Sequence, residues 1–413
     1  MSDTALRVAS VLPSATEILC FIGGGHLLVG RSHEDNYPAD ITHLPVLTGQ
    51  LTSFTTAKDV DRQVSQALST GQSLYSLDEA KFSELAVDVI LTQDICSVCA
   101  IDLPTVQRLA AKLSPSPRIV SLNPLNLDDV LHNITQLGEA VGLEVEADLA
   151  LKGLHERLEA VDALVARRPS HHNRPNVAFI EWSEPLYVGG HWTPQLIERA
   201  GGCHPLNPGK GAAGAGKSFP VSPSQFVESD PDLIVICCCG LDLAATKREA
   251  SSLQQKEWWS SLRAVQESRV ALVDGDAMFN RPGPRLVDAL EWLCAVLLDR
   301  PEMTPPEFPV SWVKCGEQLL PSKRPRGSTE IEELHTLAVQ QGQKHYTDPE
   351  TGYCVFTQLF MIERGWCCGS GCRHCPYGHQ NVAIERKASV KPPIVVPGYG
   401  CPRKSPPKPS HAN

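Results

Sequence analysis

The first 300 residues hold seven short apolar runs set between stretches of helical pattern, at 7–12, 27–32, 88–93, 118–122, 176–182, 232–239 and 269–274. Most are continuous rather than alternating, which is the pattern of strands covered by helices on both faces. Strands separated by helices pair in parallel sheets, so the expected fold class is α/β. The runs fall into a group of four and a group of three, and the stretch between them decides the architecture. Residues 127–168 contain no proline, and Gly138 and Gly142 mark one break. Beyond the break, Leu151, Leu154, Leu158, Val161 and Val165 fall 3, 4, 3 and 4 residues apart, one apolar face of a single helix. About 20 helical residues span ~30 Å, enough for a stiff strut. The expectation is two parallel-sheet lobes joined by a long helix, with a small C-terminal cysteine-rich module.

In residues this reads as an N-terminal α/β lobe at 1–125, a connecting helix at 126–169 and a C-terminal α/β lobe at 170–300. A linker with little regular structure follows at 301–329, marked by Pro301, Pro305, Pro306, Pro309, Pro321 and Pro325. The cysteine-rich module is placed at 330–380. The tail at 381–413 holds seven prolines and six Lys/Arg against Glu385 alone, the composition of a disordered basic segment.

Composition narrows the function classes. With 42% hydrophobic and 20% charged residues, the chain is not disordered over most of its length. No run of 18 apolar residues occurs; the best stretch, 233–245, is broken by Gly240 and Asp242, so no membrane segment is expected. A net charge of −10 argues against a nucleic-acid partner, whose phosphates would need cations. Asp3 sits where a secretory signal would be basic, and a strand pattern begins at Arg7. Fifteen cysteines, odd in number and adjacent at Cys237-Cys238-Cys239 and Cys367-Cys368, do not form a disulfide framework. They fit a reducing compartment, and the expected location is cytoplasmic.

Polar residues gather just after the strand patterns. Ser14 followed by Glu17 is a capping box, ending the first strand at Leu12 and starting a helix at Ala15. The free N–H groups there either receive a polar ligand group or simply close a capped turn. Ser32-His33-Glu34-Asp35-Asn36-Tyr37 follows the second run, and Gln93-Asp94-Ile95-Cys96-Ser97-Val98-Cys99 the third. Glu181-Trp182 ends the fifth, with His191-Trp192 close behind. In open parallel sheets, ligands bind outside the carboxyl ends of strands, where these clusters fall. Near residue 280 comes Asn280-Arg281-Pro282-Gly283-Pro284-Arg285, with a helix expected from about 284 to 298. Arginine at a helix start opposes the dipole, so Arg281 and Arg285 call for a carboxylate or ligand oxygen nearby.

The stretches LPSATEIL, VGRSHEDNYP, LTQDICSVCA, EWSEPLYVGGHW, AGG and FNRPGPRLVDALE, in this order, resemble the iron/vitamin B12-type substrate-binding proteins of ABC importers, most of all the branch labelled cobalamin-binding. The resemblance covers roughly residues 6–300. It implies two α/β lobes on a rigid helix with one small-molecule ligand in the cleft between them: a corrinoid such as cobalamin, haem or another metal chelate. Carried over by position, the cleft is lined by Pro13, Ser14, His33, Glu34, Tyr37, Gln93, Cys96, Glu181, Trp182, His191, Trp192, Asn280 and Arg281. Such proteins carry an export or lipid-anchor signal and deliver ligand to a membrane permease. No such signal is legible here, which leaves a permease partner in doubt and keeps the cytoplasmic expectation.

Cys96 and Cys99 have the spacing of a metal or redox pair and equally of packed thiols; all three readings stay open. The run Gly211 to Ser218 satisfies GxxxxGK[ST], but the residues around it, His204-Pro205-Leu206-Asn207-Pro208 and Phe219-Pro220, supply neither the strand nor the helix a phosphate loop needs. It reads as a glycine–alanine loop.

In the module, Cys367, Cys368, Cys372 and Cys375 fall within nine residues among glycines, the strongest metal-type spacing in the chain. Thiolates select zinc or an iron–sulfur cluster, and a small module needs such a staple. Cys368-x3-Cys372-x2-Cys375 also matches the cluster triplet of radical S-adenosylmethionine enzymes, but those build a large barrel after it, and 38 residues follow Cys375. The segment 335–377, with HYTDPETGYCVFT and CCGSGCRHCPYGH, resembles a short cysteine-rich family of unknown function. The functional expectation is a non-catalytic binding protein for a corrinoid or related chelate. The alternatives are an enzyme using Glu34, His33 or Glu181 in the same cleft, and a metallochaperone or adaptor working through the cysteine module.

Overall fold

The structure is a computed structural model, and it describes residues 6–51, 57–70, 73–95, 101–168, 174–211, 216–319, 328–347, 354–364, 367, 372–382, 393 and 395. The chain divides into two compact units, Met1–Pro321 and Ser322–Asn413.

In the first unit, β1 (Val8–Ser10) and β2 (Leu28–Gly30) are followed by a small antiparallel pair, β3 (Thr48–Gln50) with β4 (Tyr75–Leu77), and then by β5 (Val89–Thr92) and β6 (Arg118–Ser121). The first sheet has the order β2-β1-β5-β6 and is parallel throughout, with Val8 opposite both Leu28 and Val89. The second sheet is built from β7 (Val177–Trp182), β8 (Tyr187–Val188), β9 (Phe219–Pro220), β10 (Leu233–Ile236), β11 (Val270–Val273) and β12 (Val310–Val313), in the order β12-β11-β10-β7-β8-β9. Its centre, β7, β10 and β11, is parallel, and its edges are antiparallel. Each of the seven apolar runs holds one strand, and β5, β10 and β11 are buried along their whole length, as two-sided helix cover requires.

The reading of 301–329 as a linker with little regular structure is corrected by β12. Val310-Ser311-Trp312-Val313 is a β-branched and aromatic run that pairs antiparallel with β11, Val313 opposite Val270. Its prolines deceive because Pro309 precedes the strand and the strand is an edge, where a missing donor costs no ladder bond.

Between the sheets run two helices, Leu127–Val141 and Glu144–Ala166. They turn at Gly142, whose φ of 75° an L-residue adopts only at a cost. Gly138 lets them cross closely, since a Cβ there would lie 2.6 Å from that of Ala147. The second helix, 23 residues long, spans ~34 Å. Leu154, Leu158 and Val161 on its apolar face belong to one continuous cluster that includes Val8 and Leu19 of the first lobe and Val177, Leu290 and Trp292 of the second. The helix Glu144–Ala166 packs on the helix Arg285–Leu297, where Arg157 holds Asp288 and Glu291 at 2.5 and 2.6 Å. The connecting helix thus shares its core with both lobes.

The second unit contains the helix Ser328–Gln340, an antiparallel pair of β13 (His345–Thr347) with β14 (Cys354–Phe356), and the helix Gln358–Arg364. Its apolar cluster is Met361, Cys367, Cys375 and Tyr377. Among the described residues no helix is long and apolar enough to cross a membrane.

Candidate functional site

The helix after β1 spans Pro13–Phe21, with proline in its first turn. The capping box expected from Ser14 and Glu17 does not form: Leu12 is the N-cap and no side chain caps it. Glu17 instead accepts from Arg281 at 3.1 Å and from Arg285 at 2.9 Å, with its side chain 2% exposed. One buried and one partly buried guanidinium group attract this carboxylate more strongly than one backbone N–H could. The expectation of a carboxylate near Arg281 and Arg285 is met by Glu17.

Arg281 lies in the segment after β11 and reaches over residues that follow β1 and β2. It donates to Glu17 and Asn36 Oδ1 through Nη1, and to the Glu34 carbonyl at 3.0 Å and Asp276 at 2.8 Å through Nη2. Asn36 returns a bond to Asp276 at 2.5 Å, and Arg285 lies 4.2 Å over the Tyr37 ring. The carboxyl ends of the two sheets are therefore tied to each other. Arg281 acts here as a clamp, with its guanidinium engaged by protein on both lobes.

Around this clamp, the residues after β2 keep unused chemistry. Thr48 Oγ1 receives the His33 backbone N–H at 2.9 Å and lies 2.6 Å from Nδ1 of the same residue, which fixes the ring. His33 Nε2 is buried with no partner among the described residues. Burial first, and then the charge of Arg31, lower the His33 pKa, so the ring is neutral at pH 7. Burial pushes the Glu34 carboxyl up to about 7, against the opposing pull of Arg281, and the nearby Asp276 and Asp35 push the same way. Asp35 is raised to about 6 by burial, although Thr16 and the Ser32 N–H bond its Oδ2 at 2.6 and 3.0 Å. Tyr75 flanks His33 with ring centres 5.8 Å apart.

The second lobe adds a separate group. Glu181 accepts from Ser218 at 2.7 Å, and Trp182, partly exposed, donates its indole N–H across the lobes to the Ala57 carbonyl at 3.2 Å. His191 is half-buried, with φ 53° and its pKa lowered by burial and then by Lys217. Lys217 and Ser218 lead into β9 with no helix following directly, and a Cβ on Gly190 would meet their backbone. Residues 212–215 of the glycine–alanine run lie outside the described residues.

The remaining sequence candidates fall elsewhere. Pro13 and Ser14 are buried in the first turn, and Gln93 is buried at the end of β5. Trp192 belongs to the core and donates to the Phe279 carbonyl at 2.6 Å; Asn280 bonds the Cys237 and Gly275 carbonyls. Cys96 and Cys99 lie outside the described residues. Sequence reasoning missed Thr48, Asp276 and the part played by Glu17. A glutamate on the apolar face of LPSATEIL was the legible sign for Glu17, because a buried carboxylate requires a cation.

Two cavities are open in the first unit. One, of about 610 Å³, is lined by Thr48, the residue that holds His33, with Val46, Gly49, Ser76 and Lys81. The other, about 740 Å³, lies at the amino ends of β7, β10 and β11, between Arg174, Cys203, Asp232 and Arg269. Of the module's candidate ligands, Cys367 and Cys375 are buried, Cys372 is partly exposed, and Cys368 lies outside the described residues. Among the described residues no group of three His, Cys, Asp or Glu is placed to hold a metal ion.

Residues 89–277 match the family described as "Periplasmic binding protein", and residues 334–381 match a family of unknown function, DUF5522. An uncharacterized ABC transporter substrate-binding lipoprotein of Bacillus subtilis is 25% identical over 289 residues, covering 70% of this chain and 78% of the relative. The vitamin B12-binding protein of Vibrio cholerae is 24% identical over 298 residues, covering 71% and 89%. Among solved structures, a periplasmic haem-binding protein from Pseudomonas aeruginosa aligns with a TM-score of 0.55 at 21% identity, covering 71% of this chain and 93% of its own. The periplasmic vitamin B12-binding protein of Vibrio cholerae aligns at 0.51 and 20% identity, covering 72% and 98%. The likeness to iron/vitamin B12-type substrate-binding proteins is borne out, and the fold is theirs. The cytoplasmic expectation is overturned: the matched proteins are periplasmic or lipoproteins. It rested on thiol usage and on the first residues, and neither feature reports the compartment of this fold.

Proposed function

We propose that residues 1–321 hold a metal-centred macrocycle of the corrinoid or haem class at the carboxyl ends of the two sheets, without catalysis, and deliver it to an ABC-type permease outside the cytoplasmic membrane. The observation that carries this reading is the state of His33 and Glu34. They sit beside the clamp that joins the lobes, with His33 Nε2 and the Glu34 carboxyl both free of protein hydrogen bonds among the described residues. A neutral imidazole held from behind by Thr48 is a suitable axial nitrogen for a metal centre. A carboxyl that titrates near 7 can donate a hydrogen bond to a ligand oxygen. Trp182 and Tyr37 offer flat apolar faces at the same sheet ends. The relatives named for vitamin B12 and haem support the ligand class, and the ABC substrate-binding lipoprotein supports the permease.

Cobalamin and haemin added separately to the purified chain test this. The cognate ligand at 100-fold excess over its Kd should stabilise the first unit by roughly 2.7 kcal/mol. His33→Ala should weaken binding and alter the metal's absorption spectrum. No thermal shift with cobalamin, haemin or a ferric chelate would overturn the proposal. A catalytic reading would use Glu34 as an acid–base group at pH 7; recovery of the ligand unchanged after prolonged incubation separates the two.

A further inference from the structure

Two thiols lie buried side by side in the small unit. Cys367 and Cys375 are 1% and 2% exposed, and their Sγ atoms lie 3.8 Å apart. Two thiolates bound at about 2.3 Å to one tetrahedral ion stand about 3.8 Å apart, whereas a disulfide would bring the sulfurs to about 2.0 Å.

The backbone around Cys375 is shaped for a thiolate. The chain turns through Pro376, Tyr377, Gly378 and His379, and the last two take successive left-handed conformations, φ 59° and 57°. This turn aims the N–H groups of Tyr377 and His379 at the Cys375 sulfur. N–H donors stabilise an anionic sulfur and do little for a thiol. Burial, the larger influence, acts the other way.

Outer contacts fix the rest. His379 Nε2 bonds the Cys372 carbonyl at 2.7 Å, Asn381 donates to the Cys367 carbonyl at 2.6 Å, and Tyr377 OH donates to the Met361 carbonyl at 3.2 Å. Side chains that lock the backbone of prospective ligands are the usual support of a metal site.

We propose that Cys367 and Cys375 form a dithiolate seat for a soft metal ion of the zinc class, independent of the ligand-binding reading of the first unit. The remaining coordination positions are left to water. Among the described residues no third donor stands in place, and Cys368 lies outside them.

The test uses the full chain purified anaerobically in the presence of zinc. About one zinc per chain is expected. A mercurial titrating the thiols should release it in step, and cobalt in its place should give sulfur-to-metal charge-transfer absorption. Cys367→Ala and Cys375→Ala should each lose the metal, while Cys315→Ala, at an exposed thiol of the first unit, should retain it. Cys375→His retains a donor, so uptake with a changed cobalt spectrum would show that the alanine variants fail for want of a ligand and not of a fold. Less than ~0.3 metal per chain in the parent protein, with its thiols freely titrating, would overturn the assignment. So would a Cys367–Cys375 disulfide found by peptide mass spectrometry.

Discussion

In the first unit, one apolar cluster runs from Val8 through Leu158 to Trp292, and a second surrounds β10 and β11. In the second unit the corresponding cluster is Met361, Cys367, Cys375 and Tyr377, and half of it is cysteine. A long chain can bury enough hydrocarbon to stand without help, and a short one cannot. The contrast separates two uses of polar groups. In the large unit, cohesion comes from the core, and polar side chains at the sheet ends are available for recognition. Among the described residues of the small unit, two thiols take part in the apolar cluster itself.

The sharpest way to break this contrast is to withdraw the proposed metal. A strong chelator should abolish the unfolding transition of the second unit and leave that of the first unchanged; hydrogen exchange resolved by segment would show both. If the second unit keeps its protection, sulfur is not what holds it. Next in size, Glu17→Ala takes from Arg285 the carboxylate it pairs with and leaves Arg281 paired with Asp276; the two side chains are 13% and 8% exposed. Loss of one partner from a buried pair costs about 3–5 kcal/mol, visible as a lower urea midpoint for the first unit.

A smaller effect belongs to Glu34. Its folded pKa, about 7, lies above its ordinary value, so the native state binds the proton more tightly than the unfolded chain. Stability therefore falls as pH rises from about 4.5 to 7. Glu34→Gln should remove its own share of that slope, leaving the share of Asp35 below about pH 6, and exceed the parent in stability at pH 8 by about 2 kcal/mol, with no gain at pH 4.5. An unchanged slope in urea melts across this range would remove Glu34 as the unsatisfied acid of the site. Least of all, Lys112→Ala breaks an exposed pair with Glu79 and should change the stability read from urea melts by no more than about 0.5 kcal/mol.

Seven strands of the first unit, β1, β2, β5, β6, β7, β10 and β11, were legible because each sits in an apolar run, as burial between helices requires; the short β3, β4, β8 and β9 were not. The long helix was legible from the spacing of Leu151 to Val165. The strand Val310–Val313 was hidden by the prolines around it, since composition averages over a four-residue edge. At the site, the arginines at 281 and 285 announced that they needed a carboxylate, but local pattern assigned Glu17 to a helix cap. A contact spanning 264 residues leaves no periodic trace. Thr48 was invisible for the same reason: it orients His33 from a different hairpin.

Arg281 bonds both halves of the large unit, with Glu17 and Asn36 on one side and Asp276 on the other. Swinging the halves apart would leave cations and carboxylates facing each other across a widening, poorly hydrated gap. On the ligand-binding reading proposed above, admission of a guest would depend on small side-chain adjustments at a fixed doorway, and the residues that frame the threshold would set which guests pass.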